Sequence, residues 1–210
     1  MIVKRLSIEK TPYAVKWRSR AAEEFGKDVA SEVMARMNAR YEQFCQEHAR
    51  ESAGIREHTE KRLFPVIALY QTLLEYTSQV HAVELLEQWF YEVVKQQINA
   101  MKEYINSQNM VRQFQVFFAE EMEKSYSEEA GFVGKFLHRD ANCVEMQVTS
   151  CLYLRFTTYY GCPEICHCFC KTDDMCYEDI HPKIIWERSH TLAEGKEYCD
   201  FTIRLARIEE

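Results

Sequence analysis

The amino-acid sequence predicts an α+β fold, in which helices come first and an antiparallel sheet follows. Three observations support this prediction. Apolar side chains recur at three- and four-residue steps through the first 125 residues, which is the period of a helix. Only two of the six glycines and two of the four prolines lie in that part, so helices are rarely interrupted there. After Ala130 the apolar period changes to two, as a half-buried strand requires.

Four main helices are expected in the first part of the chain, each with an apolar stripe along one face. A polar segment around Gly54 separates the first from the second, and Pro65 indicates that the second begins, or is kinked, near Phe64. Ser78 fits the N-cap of the third. The fourth runs from about Met110 to Lys124. The stripes are Val29, Val33, Met37, Tyr41, Phe44 and Cys45; Leu63, Val66, Ile67, Tyr70, Leu73 and Leu74; Val83, Leu86, Phe90, Val94, Ile98, Met101 and Ile105; and Val111, Phe114, Phe117, Phe118 and Met122.

Two hairpins are expected after residue 129, and together they make a four-stranded antiparallel sheet. The first occupies residues 131–149 and turns at the polar residues 140–142. The second occupies residues 183–205 and turns at residues 194–195. A helix lies between the hairpins, and we expect one over residues 151–160. The whole chain is predicted to be a single domain, residues 1–210, with a mainly helical part at 1–128 and a sheet with helices at 129–210.

Charge and composition exclude several classes of function. The net charge of −7 disfavours binding to nucleic acid or to an anionic membrane surface, because both need a basic face. No apolar run is long enough for a signal peptide or a membrane span, so we expect a cytoplasmic protein. In that reducing compartment its nine cysteines are expected to be free thiols or metal ligands rather than disulfides. The sequence leaves the oligomeric state open, a homo-oligomer included.

Five of the nine cysteines lie within residues 162–176. Their spacing, C-x3-C-x-C-x-C-x5-C, lacks the second knuckle of a structural zinc site, so no metal is expected. Pro163 and Cys162 fit the first position and the N-cap of a helix. On that helix Cys166 and Cys170 share a face, but their Cβ atoms would be about 5–6 Å apart, too far for a disulfide. We therefore expect separate thiols, most of them small buried apolar groups, and no disulfide in this segment.

One of these thiols would be reactive if a cation or a base lay beside it, because carboxylates alone raise the pKa of a thiol. His167, His181 or Arg188 could supply this cation or base. Arg188 is either an exposed strand residue or a clamp for a carboxylate, which a guanidinium binds through two hydrogen bonds.

Strand register decides the surroundings of Arg188. A two-residue turn at residues 194–195 places it on the side of Cys199, Phe201 and Ile203. A slip of one residue places it beside Asp200 and Thr202 instead. Only the first register brings the cation near a thiol on the covered face of the sheet.

The C-terminal third resembles the L-2-amino-thiazoline-4-carboxylic acid hydrolase family over about residues 145–205. The closing segment "AEGKEYCDFTI" is also similar to vinyl-4-reductase-type ligand-binding domains. The residues that carry the resemblance are Gly161, Pro163 and Glu164; Phe169, Cys170, Asp173 and Asp174; Pro182; Arg188, Thr191 and Leu192; and Gly195, Cys199, Asp200 and Phe201.

The resemblance implies a hydrolase that opens a small thiazoline ring on a pathway to cysteine. We expect it to act on a carbon–nitrogen bond of a small cyclic C=N carboxylate, without a cofactor. Arg188 would hold the substrate carboxylate, and the neighbouring substrate-binding candidates are Thr191, Cys199 and Asp200. Asp174 or Glu164 would move protons if burial raised the pKa of its carboxyl group. Cys170 is the candidate nucleophile, with direct attack by water as an equal alternative. The competing class is a module that binds or senses a small molecule without turnover.

Overall fold

The computed structural model describes residues 6–107 and 111–206. Within these residues, helices occupy most of the N-terminal part and a four-stranded antiparallel sheet follows, which confirms the predicted α+β class. The chain divides into two compact units, Met1–Val94 and Lys95–Glu210. We call them the N-terminal and C-terminal units. The expectation of a single domain stays a prediction.

The N-terminal unit is helical. Its elements are α1 (Ala14–Phe25), α2 (Lys27–Glu47), α3 (Ala53–His58), a π-helical turn (Thr59–Leu63), α4 (Phe64–Leu73) and the first part of α5 (Gln79–Ser107). The helices α2, α4 and α5 are those that the periodicity predicts. The polar segment around Gly54 forms the short helix α3, because the Ser52 hydroxyl accepts a hydrogen bond from the Ile55 N–H at 3.1 Å and caps it. The sequence reasoning did not identify α1.

The core of the N-terminal unit surrounds α4. Every residue of α4 except Gln71 is buried, as expected for a helix that is apolar on nearly all sides. Trp17 of α1 is also fully buried, and its indole N–H donates to the carbonyl of Trp89 at 3.1 Å. This bond satisfies the one polar atom of a large core side chain.

The C-terminal unit contains the remaining helices and all four described strands. These are the rest of α5, α6 (Val111–Ser125), β1 (Val133–Arg139), β2 (Cys143–Ser150), α7 (Leu152–Tyr159), α8 (Cys166–Tyr177), β3 (Ile184–Glu187) and β4 (Cys199–Leu205). Both predicted hairpins and the short helix between them are confirmed. A 3-10 turn, Pro163–Ile165, precedes α8 with Cys162 at its N-cap, as the sequence predicts. Met110 lies outside the described residues, and so do the side chains of Ile105, Val111, Phe114 and Phe117.

The sheet has the strand order β1-β2-β4-β3. Its covered face is formed where Val144 opposes Ile203, Met146 opposes Phe201 and Val148 opposes Cys199. All six of these side chains are buried, whereas the residues between them keep partial exposure. The alternation with period two is therefore confirmed.

The register of the second hairpin differs from a simple two-residue turn. Residues 188–198 connect β3 to β4 and include a 3-10 turn, Leu192–Glu194, that ends at Gly195 with φ of 78°. Trp186 opposes Ile203, so Arg188 follows on the side of Phe201 and Cys199. Although the connection is longer than predicted, Arg188 lies on the side of Cys199, Phe201 and Ile203, which is the first of the two predicted registers.

None of the helices in the described residues is both long enough and apolar enough to cross a membrane. The finding agrees with the absence of an apolar run of about 20 residues from the sequence.

Candidate functional site

Arg188 is the central charged residue of the C-terminal unit. It directly follows β3, and only 7% of its side-chain surface is exposed. Its Nη2 donates to the backbone carbonyl of Cys170 at 2.9 Å and to Oδ2 of Asp174 at 2.5 Å. Its Nη1 lies 3.5 Å from Oδ2 of Asp173. A buried guanidinium needs such partners, because desolvation of an unpaired charge is costly.

The helix α8 supplies all three acceptors. Cys170, Asp173 and Asp174 are three and four residues apart and therefore share one face of the helix. The remaining oxygen of Asp174, Oδ1, accepts a hydrogen bond from the Trp186 indole at 3.1 Å. Burial lowers the pKa of Arg188, but the charges of Asp173 and Asp174 outweigh this effect and raise the pKa above its ordinary value. The guanidinium is thus a permanent cation between two carboxylates.

An open cleft of about 460 Å³ lies beside this ion pair. Both signs of charge occur on its walls, since two cationic and four acidic side chains line it. Glu187 is occupied by Arg204, whose Nε and Nη2 donate to it at 3.0 and 2.9 Å. The lining residues are Lys171, Asp174, Glu178, Trp186, Glu187, Arg188, Ser189, Asp200 and Thr202. Such a cleft suits a small molecule that carries both a cation and an anion.

Asp200 organises the loop that leaves β3. Its carboxylate accepts hydrogen bonds from the Ser189 N–H at 3.0 Å, the His190 N–H at 2.5 Å and the Ser189 hydroxyl at 2.6 Å. Burial acts to raise the pKa of Asp200, but these donors outweigh it and hold the pKa below its ordinary value. The predicted substrate-binding residue therefore lines the cleft as an ionised group that also fixes the chain next to Arg188.

Thr191 and Cys199 have local partners. The Thr191 hydroxyl donates to the Glu194 carboxylate at 2.8 Å and accepts from the Glu194 N–H at 3.2 Å. The Thr191 hydroxyl therefore caps the 3-10 turn and also binds the Glu194 side chain, and the T-x-x-E pattern was a readable signal of a cap that the sequence reasoning missed. The sulfur of Cys199 accepts from the Leu192 N–H at 3.2 Å. Burial raises the pKa of Cys199 to about 12, so this thiol stays protonated near neutral pH.

The structure separates the other two predicted catalytic residues from the cleft. Cys170 contributes its carbonyl to Arg188 at 2.9 Å. Glu164 precedes α8, and its backbone carbonyl lies 2.5 Å from a ring nitrogen of His167. Burial and the nearby Glu164 charge raise the pKa of Cys162 to about 12. Neither Cys170 nor Glu164 is among the described residues that line the cleft.

Sequence reasoning assigned no site role to six residues of the cleft, namely Lys171, Glu178, Trp186, Glu187, Ser189 and Thr202. Trp186 precedes Arg188 by two positions, which puts both on one side of a strand, and this spacing was visible in the sequence. Lys171 precedes Asp174 by three positions on α8, so the two share a helical face. Predicting the cleft would have required knowing that this face of α8 meets the exit of β3.

Comparison with protein families gives one match. The family model described as L-2-amino-thiazoline-4-carboxylic acid hydrolase matches residues 56–203, which include Arg188, Asp174 and Asp200. No curated protein and no solved structure matches the chain.

Proposed function

This chain belongs to the L-2-amino-thiazoline-4-carboxylic acid hydrolase family, and we propose that it opens a small cyclic C=N carboxylate by adding water. The observation that carries the proposal is the cleft of mixed charge beside Arg188 and Asp174, within the matched residues. The family description specifies a five-membered ring with an amino group on the C=N carbon and a carboxylate at another position. Such a molecule has one basic amidine-like group and one acid, so it is a zwitterion when the base is protonated.

The charges along the cleft fit a zwitterion in one orientation. Lys171 and Arg188 are the cations on its walls, and we place the substrate carboxylate beside them. Asp174 lies on α8 and Glu178 is the residue that ends this helix. Their carboxylates line the cleft and can hold the protonated amidine. Nη2 of Arg188 already donates to the Cys170 carbonyl and to Asp174, so we place Lys171 beside Arg188 as a second cation that binds the substrate carboxylate.

In the proposed hydrolysis, water first attacks the ring carbon that is bonded to both nitrogens and to the sulfur. Asp174 takes the proton as the O–C bond forms, and protonation of the ring nitrogen or sulfur accompanies cleavage of its bond to that carbon. Cleavage at nitrogen leaves a thiocarbamate, whereas cleavage at sulfur releases a thiol. Direct attack by water is favoured over a covalent cysteine intermediate, because the described residues that line the cleft include no cysteine.

A binding module without turnover is the second candidate. The observation in its favour is that Arg188 and Asp174 already satisfy each other, and the thiol of Cys199 is held protonated by burial. Such a protein would bind the zwitterion in the same cleft and release it unchanged.

The deciding experiment incubates the full chain with 2-amino-thiazoline-4-carboxylate and follows the gain of one water by mass spectrometry, with a thiol reagent to identify the broken bond. We expect Asp174→Asn to lower kcat by about 10²–10⁴-fold, the usual contribution of a proton-transferring group. Asp179→Asn is the matched control, because Asp179 is exposed, lies just beyond α8, and has a left-handed φ of 55° that Asn tolerates.

Two further variants test the assigned roles. Cys170→Ala should keep its activity if water attacks directly, and loss of activity in a folded variant would restore the covalent alternative. Arg188→Lys should raise KM more than it lowers kcat, since a single ammonium cannot replace the guanidinium fork. Thermal stabilisation by the substrate without any product in the wild-type chain would replace hydrolysis by binding.

A further inference from the structure

Ring opening needs two proton transfers in the cleft, in opposite directions. A base takes a proton from the attacking water, and an acid places a proton on the ring nitrogen or sulfur that departs. Asp174 is the base in the proposed reaction, and its two oxygens already accept hydrogen bonds from Trp186 and Arg188. The acid must be a group that carries its proton before water attacks, so a second side chain of the cleft is needed.

Ser189 presents a hydroxyl group with two polar partners, and it is among the residues that line the cleft. Its Oγ lies 2.6 Å from Oδ2 of Asp200 and 2.7 Å from Nδ1 of His190. The ionised carboxylate of Asp200 can only accept, so the single hydroxyl proton of Ser189 is donated to it. The contact with His190 must then be donated by a proton on Nδ1. Hydrogen bonds therefore run in one direction, from His190 through Ser189 to Asp200.

His190 connects this chain of hydrogen bonds to solvent. Its side chain is 41% exposed, and it is not among the described residues that line the cleft. The ring stacks on Tyr198 with the centroids 5.1 Å apart and 25° between the planes, and this contact limits rotation of the ring while Nδ1 faces Ser189. An imidazole can take up a proton at one ring nitrogen and release a proton from the other. His190 can therefore carry protons from solvent to the Ser189 hydroxyl.

Backbone hydrogen bonds keep the three residues in place. Oδ1 of Asp200 accepts from the N–H groups of Ser189 and His190 at 3.0 and 2.5 Å. The N–H of Asp200 in turn donates to the carbonyl of His190 at 3.2 Å. Asp200 belongs to β4, so the exit of β3 is tied to the sheet at this point. A donor that is positioned in advance needs no reorganisation when charge develops on the departing atom.

We propose that Ser189 is the acid of the cleft and that His190 supplies it with protons from solvent, an inference that rests on the proposed hydrolysis. After water has added, the C–N or C–S bond of the ring breaks, its electron pair goes to the departing atom, and that atom takes the Ser189 hydroxyl proton. Ser189 takes the Nδ1 proton of His190, and the ring gains a proton from solvent. The hydroxyl proton of the adduct passes to solvent as the C=O bond forms, so one proton enters and one leaves. Exchange with solvent then restores the Nδ1–H form of His190.

Two variants of Ser189 test the acid through turnover of 2-amino-thiazoline-4-carboxylate by the full chain. Ser189→Ala removes the hydroxyl and should lower kcat by about 10²–10⁴-fold, the usual contribution of a proton-transferring group, with a smaller change in KM. Ser189→Thr is the matched control, because it keeps a hydroxyl at the same position and should recover most of kcat. A folded Ser189→Ala variant with the kcat of the wild type would overturn the proposal.

Variants of His190 separate proton supply from hydrogen bonding. His190→Asn keeps an N–H group near the position of Nδ1 but cannot relay protons, and His190→Ala removes both functions. Both should lower kcat, and added imidazole should restore turnover to the alanine variant, because it can replace the missing ring. An asparagine variant as active as the wild type, or an alanine variant whose low kcat does not respond to imidazole, would overturn the role of His190.

A measurement without substrate separates this proposal from the hydrolysis itself. Long-range ¹⁵N–¹H NMR of the labelled full chain reports which nitrogen of a neutral imidazole carries the proton. We expect Nδ1–H for His190, whose signal is identified by its loss in His190→Asn. A proton on Nε2 instead would reverse the direction of the hydrogen bonds and overturn the relay, even in a chain that hydrolyses the substrate. A wild-type chain with no turnover would overturn the hydrolysis and the acid role together, whereas full activity of Ser189→Ala would overturn the acid role alone.

Discussion

Arg188 has two tasks that compete for its guanidinium. Its donors bind a carbonyl and a carboxylate of α8, which anchors that helix to the exit of β3. The same side chain lines the cleft, where a substrate carboxylate would need a cation. Two aspartates within 4.0 Å of one arginine leave an excess of negative charge, which a bound amidinium would offset. Binding of the zwitterion should therefore be stronger than binding of a simple carboxylate.

Asp200 is one of the carboxylates that contribute to stability at acid pH. Its donors hold its pKa below the ordinary value of 3.8, so its ionised form stabilises the folded chain. That contribution is fully present above the unfolded pKa and is lost as the pH falls through the lower folded pKa. The difference in unfolding free energy between the wild type and Asp200→Asn should therefore be constant above about pH 5 and shrink below it. Urea unfolding at a series of pH values measures this difference.

Ser189→Ala provides a graded control for Asp200. It removes the hydroxyl donor and leaves the N–H donors of residues 189 and 190 in place. The difference in unfolding free energy between the wild type and Ser189→Ala should therefore change with pH in the same direction as that of Asp200→Asn, but by a smaller amount. An Asp200→Asn difference that grows as the pH falls would contradict the assignment.

At the level of the elements, local pattern was sufficient for most of the fold. The change of apolar period located the first hairpin, and Pro163 located the start of the helical segment that contains α8. Helical spacing also places Asp174 on the same face as Cys170, whereas Glu164 precedes α8 and has no such constraint. The 3-10 turn in the β3–β4 connection was not predicted, because the glycine at residue 195 was interpreted as a two-residue hairpin turn and the T-x-x-E pattern of residues 191–194 was not used. The cleft depends on contacts between distant elements, which periodicity does not specify.

The β3–β4 connection yields a prediction about Thr191. The Thr191 hydroxyl caps the 3-10 turn through Glu194 and is buried, so Thr191→Val should lower the unfolding free energy by about 1–2 kcal/mol. Thr191→Ser keeps the hydroxyl and should retain most of the stability. Denaturant unfolding of both variants measures the effect. A higher KM for the valine variant with unchanged stability would instead support the predicted role in substrate binding.

For the whole molecule, the question is whether the two compact units unfold together. The boundary between Val94 and Lys95 falls within α5, which continues without interruption from Gln79 to Ser107. The family match over residues 56–203 also crosses this boundary. A helix cannot end abruptly at residue 94 without losing several backbone hydrogen bonds, so loss of order on one side should propagate to the other. We therefore expect one cooperative transition, consistent with the single domain that the sequence predicts.

Trp186→Phe offers a sharp test of this cooperativity. The substitution removes the indole bond to Asp174 and should weaken the C-terminal unit by about 1–3 kcal/mol. The remaining tryptophans, Trp17 and Trp89, then report only on the N-terminal unit. Eight of the nine cysteines lie in the C-terminal unit, so the reactivity of the thiols during urea unfolding reports chiefly on that unit. If the chain is one domain, both signals should shift to the same lower urea midpoint. A shift of the thiol signal alone, with the fluorescence midpoint unchanged from that of the wild type, would establish two independently folding domains.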